Sequence, residues 1–188
     1  MHFCWLFLVC SSITLSIRSW FPTFCIVLDI TDKEYAALSV SLYSATLTIF
    51  RLISVFVDFD LVKMLTNQTK GVITVLICSL LAYLFDFKLL VVFGSAAVLG
   101  VLFSAYFPCL LALPNRYGYV ISSKNSSMMM IFYAIGEAGV SAVVGIVMSI
   151  IHPLMLFVFL LMGGLVNYFL LKEVIRKLEE SRDQEKFL

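Results

Sequence analysis

Three charged residues interrupt the apolar stretches of this chain, and they are its first candidates for chemistry. Arg18, Arg51 and Glu137 lie among aliphatic and aromatic neighbours. A charge in the hydrocarbon core of a bilayer costs about 2.5–3.5 kcal/mol on insertion scales, so it usually faces a polar cavity or an opposite charge. Two interpretations of Glu137 stay open. It is a ligand for a substrate or a proton, or it forms a buried ion pair with one of the arginines and fixes the helix register.

Neighbouring side chains indicate what kind of ligand these charges would take. Trp20 follows Arg18 by two residues, and a guanidinium with a nearby aromatic ring is typical of a site for a sugar or a carboxylate. Arg51 lies near the end of its apolar run, where a long side chain reaches the membrane surface at low cost. Asn167 is a further polar candidate for the substrate pathway, and its alternative is a hydrogen bond between two helices.

The composition of the chain indicates that these residues lie on membrane-spanning helices. Of 188 residues, 62% are hydrophobic and 13% are charged, and a water-exposed surface this poor in charge would aggregate. The sequence therefore predicts an all-α integral membrane protein. A spanning helix needs roughly 20 apolar residues. Six such runs can be drawn, the third of them short unless it extends back through Thr66: about Phe3–Leu28, Tyr35–Val57, Gly71–Phe85, Leu89–Leu113, Ser126–Ile151 and Pro153–Leu171.

The basic residues between these runs predict the orientation of the chain. The second and fourth junctions contain Lys63, Lys70, Arg116 and Lys124, whereas the other three junctions contain two lysines in total. Basic loops favour the cytoplasmic side, so we expect both termini in the cytoplasm. Residues 1–172 would form the six-span bundle, and residues 173–188, which mix both signs of charge, a cytoplasmic helical tail.

Several classes of site and partner find no support in the sequence. The five cysteines lie scattered in apolar runs without C-x-x-C spacing, and they are typical of small buried hydrophobic residues. His2 and His152 have no cluster of ligating residues beside them. With a net charge of +1 and no basic patch, nucleic acid is not expected as a partner. We expect no metal, no cofactor and no enzymatic activity, because no nucleophile is paired with a base.

A short repeat links the first and fourth runs. One contains Trp20-Phe21-Pro22 and the other contains Tyr106-Phe107-Pro108. The two stretches lie three spans apart and would cross the membrane in opposite directions, which predicts an inverted 3+3 repeat. Interrupted helices at matching places in two repeats indicate a substrate site. The alternative is two ordinary helices kinked by proline.

Small residues in the fifth run predict a close helix–helix contact. Ala138 and Ala142 have small-xxx-small spacing, as do Ser141 and Gly145. Such residues allow two helix backbones to approach closely within a bilayer. We expect Gly139 and Ala142 to face another helix rather than lipid.

The order of these motifs resembles the C-terminal six-helix half of the major facilitator superfamily, over about residues 14–178. Trp20-Phe21-Pro22-Thr23-Phe24 resembles the W-L-P-T-Y stretch in the seventh helix of fucose-permease-like members. Phe50-Arg51 stands where those proteins have a Gly-Arg pair, Ser104–Pro108 resembles the S-x-x-F-P stretch of the tenth helix, and Gly136-Glu137 resembles the G-E of the eleventh. Within that group the order is most similar to the sodium-dependent glucose transporter-like proteins. The acidic residue that often lies six positions before the tryptophan is Thr14 here, so the resemblance does not carry cation coupling over to this chain.

The resemblance implies half of a transporter for a small polar, sugar-like solute. Such a half works by alternating access with a second six-helix half or another copy of the chain. The alternative is a structural or degenerate membrane subunit that keeps the fold without transport. If the chain transports, we expect Arg18, Trp20, Tyr106 and Glu137 to line one polar cavity near the middle of the bundle. Asn167 would lie on the same pathway, and gating would involve the residues Arg51, Pro22 and Pro108.

Overall fold

The computed structural model describes residues 2–57, 59–88, 90–119 and 122–186, and within them the regular structure is helical. Six helical stretches are long and apolar enough to cross a membrane, which confirms the prediction of an all-α, multi-pass membrane protein. Each stretch is called a span and numbered in chain order. The first three spans are α1 (His2–Val27), α2 (Lys33–Phe56) and α3 (Leu61–Leu84). The fourth joins a π-helical turn (Leu90–Gly94) to α4 (Ser95–Ser104) and α5 (Tyr106–Arg116), the fifth joins α6 (Ser123–Ile135), a π-helical turn (Gly136–Val140) and α7 (Ser141–Ile150), and the sixth is α8 (Met155–Lys186).

The third span is longer than the apolar run predicts, because its first turns are polar. It begins at Leu61 rather than near Gly71. The Asp60 carboxylate caps this helix by accepting a hydrogen bond from the Val62 N–H at 3.2 Å, which satisfies one of the free donors at a helix start. Gln68 and Thr69 in these turns are buried, so hydropathy alone places this boundary too late.

Packing between the spans follows a crossed pattern. The first span contacts the second, fifth and sixth, the fourth contacts the second and third, and the sixth also contacts the third and fifth. The most completely buried side chains include Phe7 and Phe24 of the first span and Leu110 of the fourth. The hydrophobic core therefore lies around the first and fourth spans, and the second and fifth spans lie at its edge.

The two Phe-Pro stretches have different local structures. Pro22 lies inside an uninterrupted α1 and is partly buried, whereas Pro108 is exposed and follows a break in the fourth span. The break is at Ala105, with φ −103° and ψ −1°. Pro108 has no N–H to donate to the carbonyl four residues earlier, that of Ser104. The fourth span is therefore interrupted near its proline, and the first is not.

A π-helical turn in the fifth span changes which small residues face a neighbour. A π turn holds one more residue than an α turn, so spacing counted on an α-helix points to the wrong face. Gly139 is exposed with nothing within 4 Å of where a Cβ would lie, and Ala142 is exposed as well. The prediction that these two residues face another helix is wrong.

Two other glycines of the fifth span make the close contact. A Cβ on Gly136 would collide with the Leu8 carbonyl oxygen and the Ser11 hydroxyl, and a Cβ on Gly145 would collide with the indole ring of Trp20. The close approach of the fifth span to the first is therefore real, but it involves the residues on either side of the predicted pair.

Candidate functional site

The polar side chains at mid-span divide into two groups, one sealed in the core and one on an open face. The sealed group is Thr69, Tyr106 and Asn167 from the third, fourth and sixth spans. Asn167 Nδ2 donates to Tyr106 Oη at 2.8 Å. The Thr69 hydroxyl lies 3.2 Å from Tyr106 Oη and 2.9 Å from the Leu65 carbonyl. Tyr106 is 1% exposed and Asn167 is 3% exposed, so neither side chain is accessible from outside the bundle.

One order of donors satisfies both hydroxyls of this sealed group, whereas Asn167 Oδ1 is buried without a hydrogen-bond partner among the described residues. The single hydroxyl proton of Thr69 serves one acceptor. If it goes to the Leu65 carbonyl, Tyr106 donates to Thr69 and accepts from Asn167. Each hydroxyl then both donates and accepts, and three spans are tied together. Asn167 therefore forms the hydrogen bond between helices that was the alternative to a place on the substrate pathway.

The Trp20 side chain also forms a contact between helices, here between the first and fifth spans. Its Nε1 donates to the Ser141 carbonyl at 2.7 Å and lies 3.1 Å from the Ser141 hydroxyl, and its ring covers Gly145. The matching aromatic Tyr106 turns towards the third and sixth spans instead. The two aromatic residues of the repeat thus find their polar partners on different helices and do not meet.

Of the four residues expected to line the cavity, Arg18 and Glu137 stay accessible. Arg18 is exposed on the surface of the bundle and Glu137 is partly exposed. Within the described ranges, neither has an ion-pair partner within 4 Å. The prediction that Arg18, Trp20, Tyr106 and Glu137 line one cavity is therefore wrong. The structure places two of these residues in helix contacts and two on an accessible surface, and it forms no ion pair of Glu137 with Arg18 or Arg51.

Two tyrosines that the sequence analysis missed join these charges. Tyr43 is buried in the second span, its hydroxyl lacks a hydrogen-bond partner among the described residues, and it lies within electrostatic range of Arg18 and Arg51. Tyr133 lies within electrostatic range of Glu137 and Arg51. We call the four accessible or partly exposed residues together with Tyr43, which is buried beneath them, the open face of the first, second and fifth spans. Helical spacing could have identified the tyrosines, since Tyr43 precedes Arg51 by about two turns and Tyr133 precedes Glu137 by about one.

Phe107 of the fourth span packs beside the open face. The Phe107 ring lies edge-on to Tyr133, with ring centroids 4.9 Å apart, and edge-on to Phe7 at 5.7 Å. Such edge-to-face pairs stabilise by about 0.5–1.5 kcal/mol beyond their buried area. The Phe-Pro stretch of the fourth span therefore contributes its phenylalanine, rather than its tyrosine, to this side of the bundle.

Arg51 is held in place by the break in the fourth span. Its Nε donates to the Ser104 carbonyl at 2.8 Å, which is the carbonyl that Pro108 leaves without its helical donor. One guanidinium N–H thus replaces the missing bond and joins the second span to the fourth. The η nitrogens of Arg51 have no hydrogen-bond or ion-pair partner in the described part of the chain, so they remain free to bind an acceptor.

The described residues include no group of three or more His, Cys, Asp or Glu side chains that could hold a metal ion. No family model, curated protein or solved structure matches this chain. The function is therefore argued from the open face itself.

Proposed function

We propose that the chain is one half of a membrane transporter for a small polar solute, and that a second six-helix half covers the open face. The observation that carries the proposal is the set of polar groups on this face, with Arg18 exposed and Glu137 partly exposed at mid-span. A charged side chain that faces lipid at this depth costs about 2.5–3.5 kcal/mol. A partner that encloses a polar cavity would remove this cost, and lipid would not.

The uneven burial of the spans supports the same arrangement. In the most apolar window of the second span only 17% of residues are buried, against 44% in the first span. The second span also carries Ser41 and Thr48 on its exposed side. A side of the bundle that is both poorly covered and partly polar is suited to a protein partner rather than to lipid alone.

The crossed packing supports an inverted 3+3 repeat of a major facilitator-like half. If the first three spans and the last three are equivalent, the contact of the first span with the fifth corresponds to that of the fourth with the second. The contact of the first with the sixth corresponds in the same way to that of the fourth with the third. All four contacts are present, and the third span contacts the sixth. The contacts of the first span with the second and of the fifth with the sixth have no counterparts of similar extent, so the repeat accounts for part of the packing. In such repeats the substrate site lies near mid-membrane at the repeat interface, and Tyr43, Tyr133 and Glu137 are the residues we assign to it.

The second candidate is a structural subunit that keeps the fold without transport. The commitment of Trp20, Tyr106 and Asn167 to helix contacts favours it, because three of the predicted pathway residues serve the fold instead. Thr14, where the resembling family often has an acid, donates its hydroxyl proton to the Cys10 carbonyl at 2.9 Å. That contact is a structural one within a single helix.

An uptake assay on the membrane-purified chain, with whatever partner copurifies, distinguishes the two candidates. The preparation is reconstituted into liposomes, and the uptake of labelled neutral sugars is measured. If the proposal is right, Glu137→Gln reduces uptake at least tenfold and leaves thermal stability unchanged. Glu34→Gln, at an exposed carboxylate near the start of α2, is the matched control and leaves uptake unchanged. A stable complex with a partner and no uptake of any sugar would instead favour the structural subunit.

A further inference from the structure

A groove separate from the mid-span tyrosines opens between the ends of the second, third and fourth spans. Its volume is about 910 Å³, which lies within the range of about 300–1,000 Å³ typical of small-molecule pockets. It lies on the side of the bundle where the second span ends, the third begins and the fourth ends. Because six spans bring the chain back to its starting side, this is also the side of both termini. The groove is therefore at one surface of the membrane.

Two guanidinium groups line this groove, and their charges are unequally neutralised. Arg116 Nη1 forms an ion pair with Asp60 Oδ1 at 2.5 Å. Arg51 is anchored through Nε to the neutral Ser104 carbonyl, and its η nitrogens have no partner in the described ranges. Among the described lining residues one carboxylate faces two guanidinium groups, and the η nitrogens of Arg51 are the cationic donors left without a partner. Asp58, between the lining residues Val57 and Phe59, lies outside the described residues.

The rest of the groove is apolar. Its walls include Val55, Val57, Phe59, Met64 and Ala112. Of these, Val55 is strongly exposed, and Val57 and Phe59 are exposed over less than half of their surface. A ligand that fits both parts has an anionic head beside the arginines and a hydrocarbon part along these walls. A soluble anion would use only the first part, and an alkane only the second.

We propose that this groove binds an anionic phospholipid. The phosphate contacts the free η nitrogens of Arg51 and shares Arg116 with Asp60, and the first part of an acyl chain lies along Val55 and Met64. Guanidinium groups bind phosphate through parallel N–H···O bonds, and basic pockets between membrane helices bind anionic lipid headgroups. Arg51 belongs to both the open face and the groove, but the assignment does not depend on transport, because the groove lies at the end of the bundle and does not use Arg18 or Glu137.

Native mass spectrometry of the detergent-purified chain tests the proposal with phosphatidylglycerol and phosphatidylcholine at equal concentrations. We expect phosphatidylglycerol to bind about fivefold more tightly or better, which corresponds to about 1 kcal/mol for one basic residue beside an anionic lipid. Arg51→Gln should remove most of this preference. Asp60→Asn should increase it, because a competing negative charge is lost. Lys70→Gln, at an exposed lysine of the third span outside the groove, should change nothing.

An increased preference in Asp60→Asn cannot come from misfolding, so the test stays decisive if Arg51→Gln is unstable. Equal binding of the two lipids to the unchanged chain would overturn the proposal. So would displacement of the lipid by inorganic phosphate but not by chloride at the same ionic strength, because the occupant would then be a soluble anion. A change in oligomeric state on Arg51→Gln, without a change in lipid binding, would assign the groove to a second copy of the chain.

Discussion

Alanine at Gly136 should destabilise the bundle, and alanine at Gly139, three residues away in the same π turn, should not. A Cβ at Gly136 would collide with the backbone carbonyl of Leu8 and with the Ser11 hydroxyl, whereas a Cβ at Gly139 would have nothing within 4 Å. The Leu8 carbonyl belongs to the backbone of α1, so the first and fifth spans would have to move apart.

The magnitude follows from two opposing contributions. Overpacking a close contact costs about 1–3 kcal/mol, while replacing glycine by alanine inside a helix gains up to about 1 kcal/mol through backbone entropy. With the full entropic gain, Gly136→Ala should therefore lose up to about 2 kcal/mol of net stability. Gly139→Ala should be neutral or gain up to about 1 kcal/mol.

Thermal unfolding in detergent, followed by circular dichroism at a fixed heating rate, measures the difference. For a chain of this size 1 kcal/mol shifts the Tm by about 2–4 °C, so the two variants should differ by about 2–12 °C. Equal Tm values, or a lower Tm for Gly139→Ala, would refute the assigned contact between the first and fifth spans. A lower Tm for Gly139→Ala would also favour the face that α-helical spacing predicts.

Three further outcomes test other parts of the fold. Tyr106→Phe removes the hydroxyl that links three spans and leaves buried polar groups without a partner, so it should cost about 1–3 kcal/mol in chemical unfolding. The Arg116 guanidinium lowers the pKa of Asp60 below its usual 3.8. The contribution of this pair to stability is therefore fully present above pH 3.8 and is lost as the pH falls through the lowered value, and Asp60→Asn should remove this pH dependence from unfolding curves. Reporter fusions after Glu34 and Lys124 should report the outside and the cytoplasm, respectively, and a cytoplasmic reporter after Glu34 would contradict the orientation.

The number of spans could be read from the sequence because it depends on local composition. In a bilayer each backbone N–H and C=O needs a partner within the protein, so a run of about 20 apolar residues forms a helix whatever its neighbours are. This reasoning gives the correct six spans. It places the start of the third span too late, because the buried Gln68 and Thr69 lower its hydropathy without breaking the helix.

Which partner each polar side chain takes was decided only by the tertiary structure. Trp20 and Tyr106 occupy matching places in the repeat, yet one bonds to Ser141 and the other to Asn167. A buried polar group takes the nearest suitable partner, and sequence spacing does not show which helix supplies it.

The same holds for the small residues of the fifth span. One π turn adds a residue and brings Gly136 and Gly145, rather than Gly139 and Ala142, against the first span. The sequence therefore determined that Arg18 and Glu137 lie within spans, because burial in a membrane depends on the composition of each segment. Their exposure, and the pairing of Arg51 with the carbonyl that Pro108 frees, depend on contacts between residues far apart in the chain, and only the packed bundle decided them.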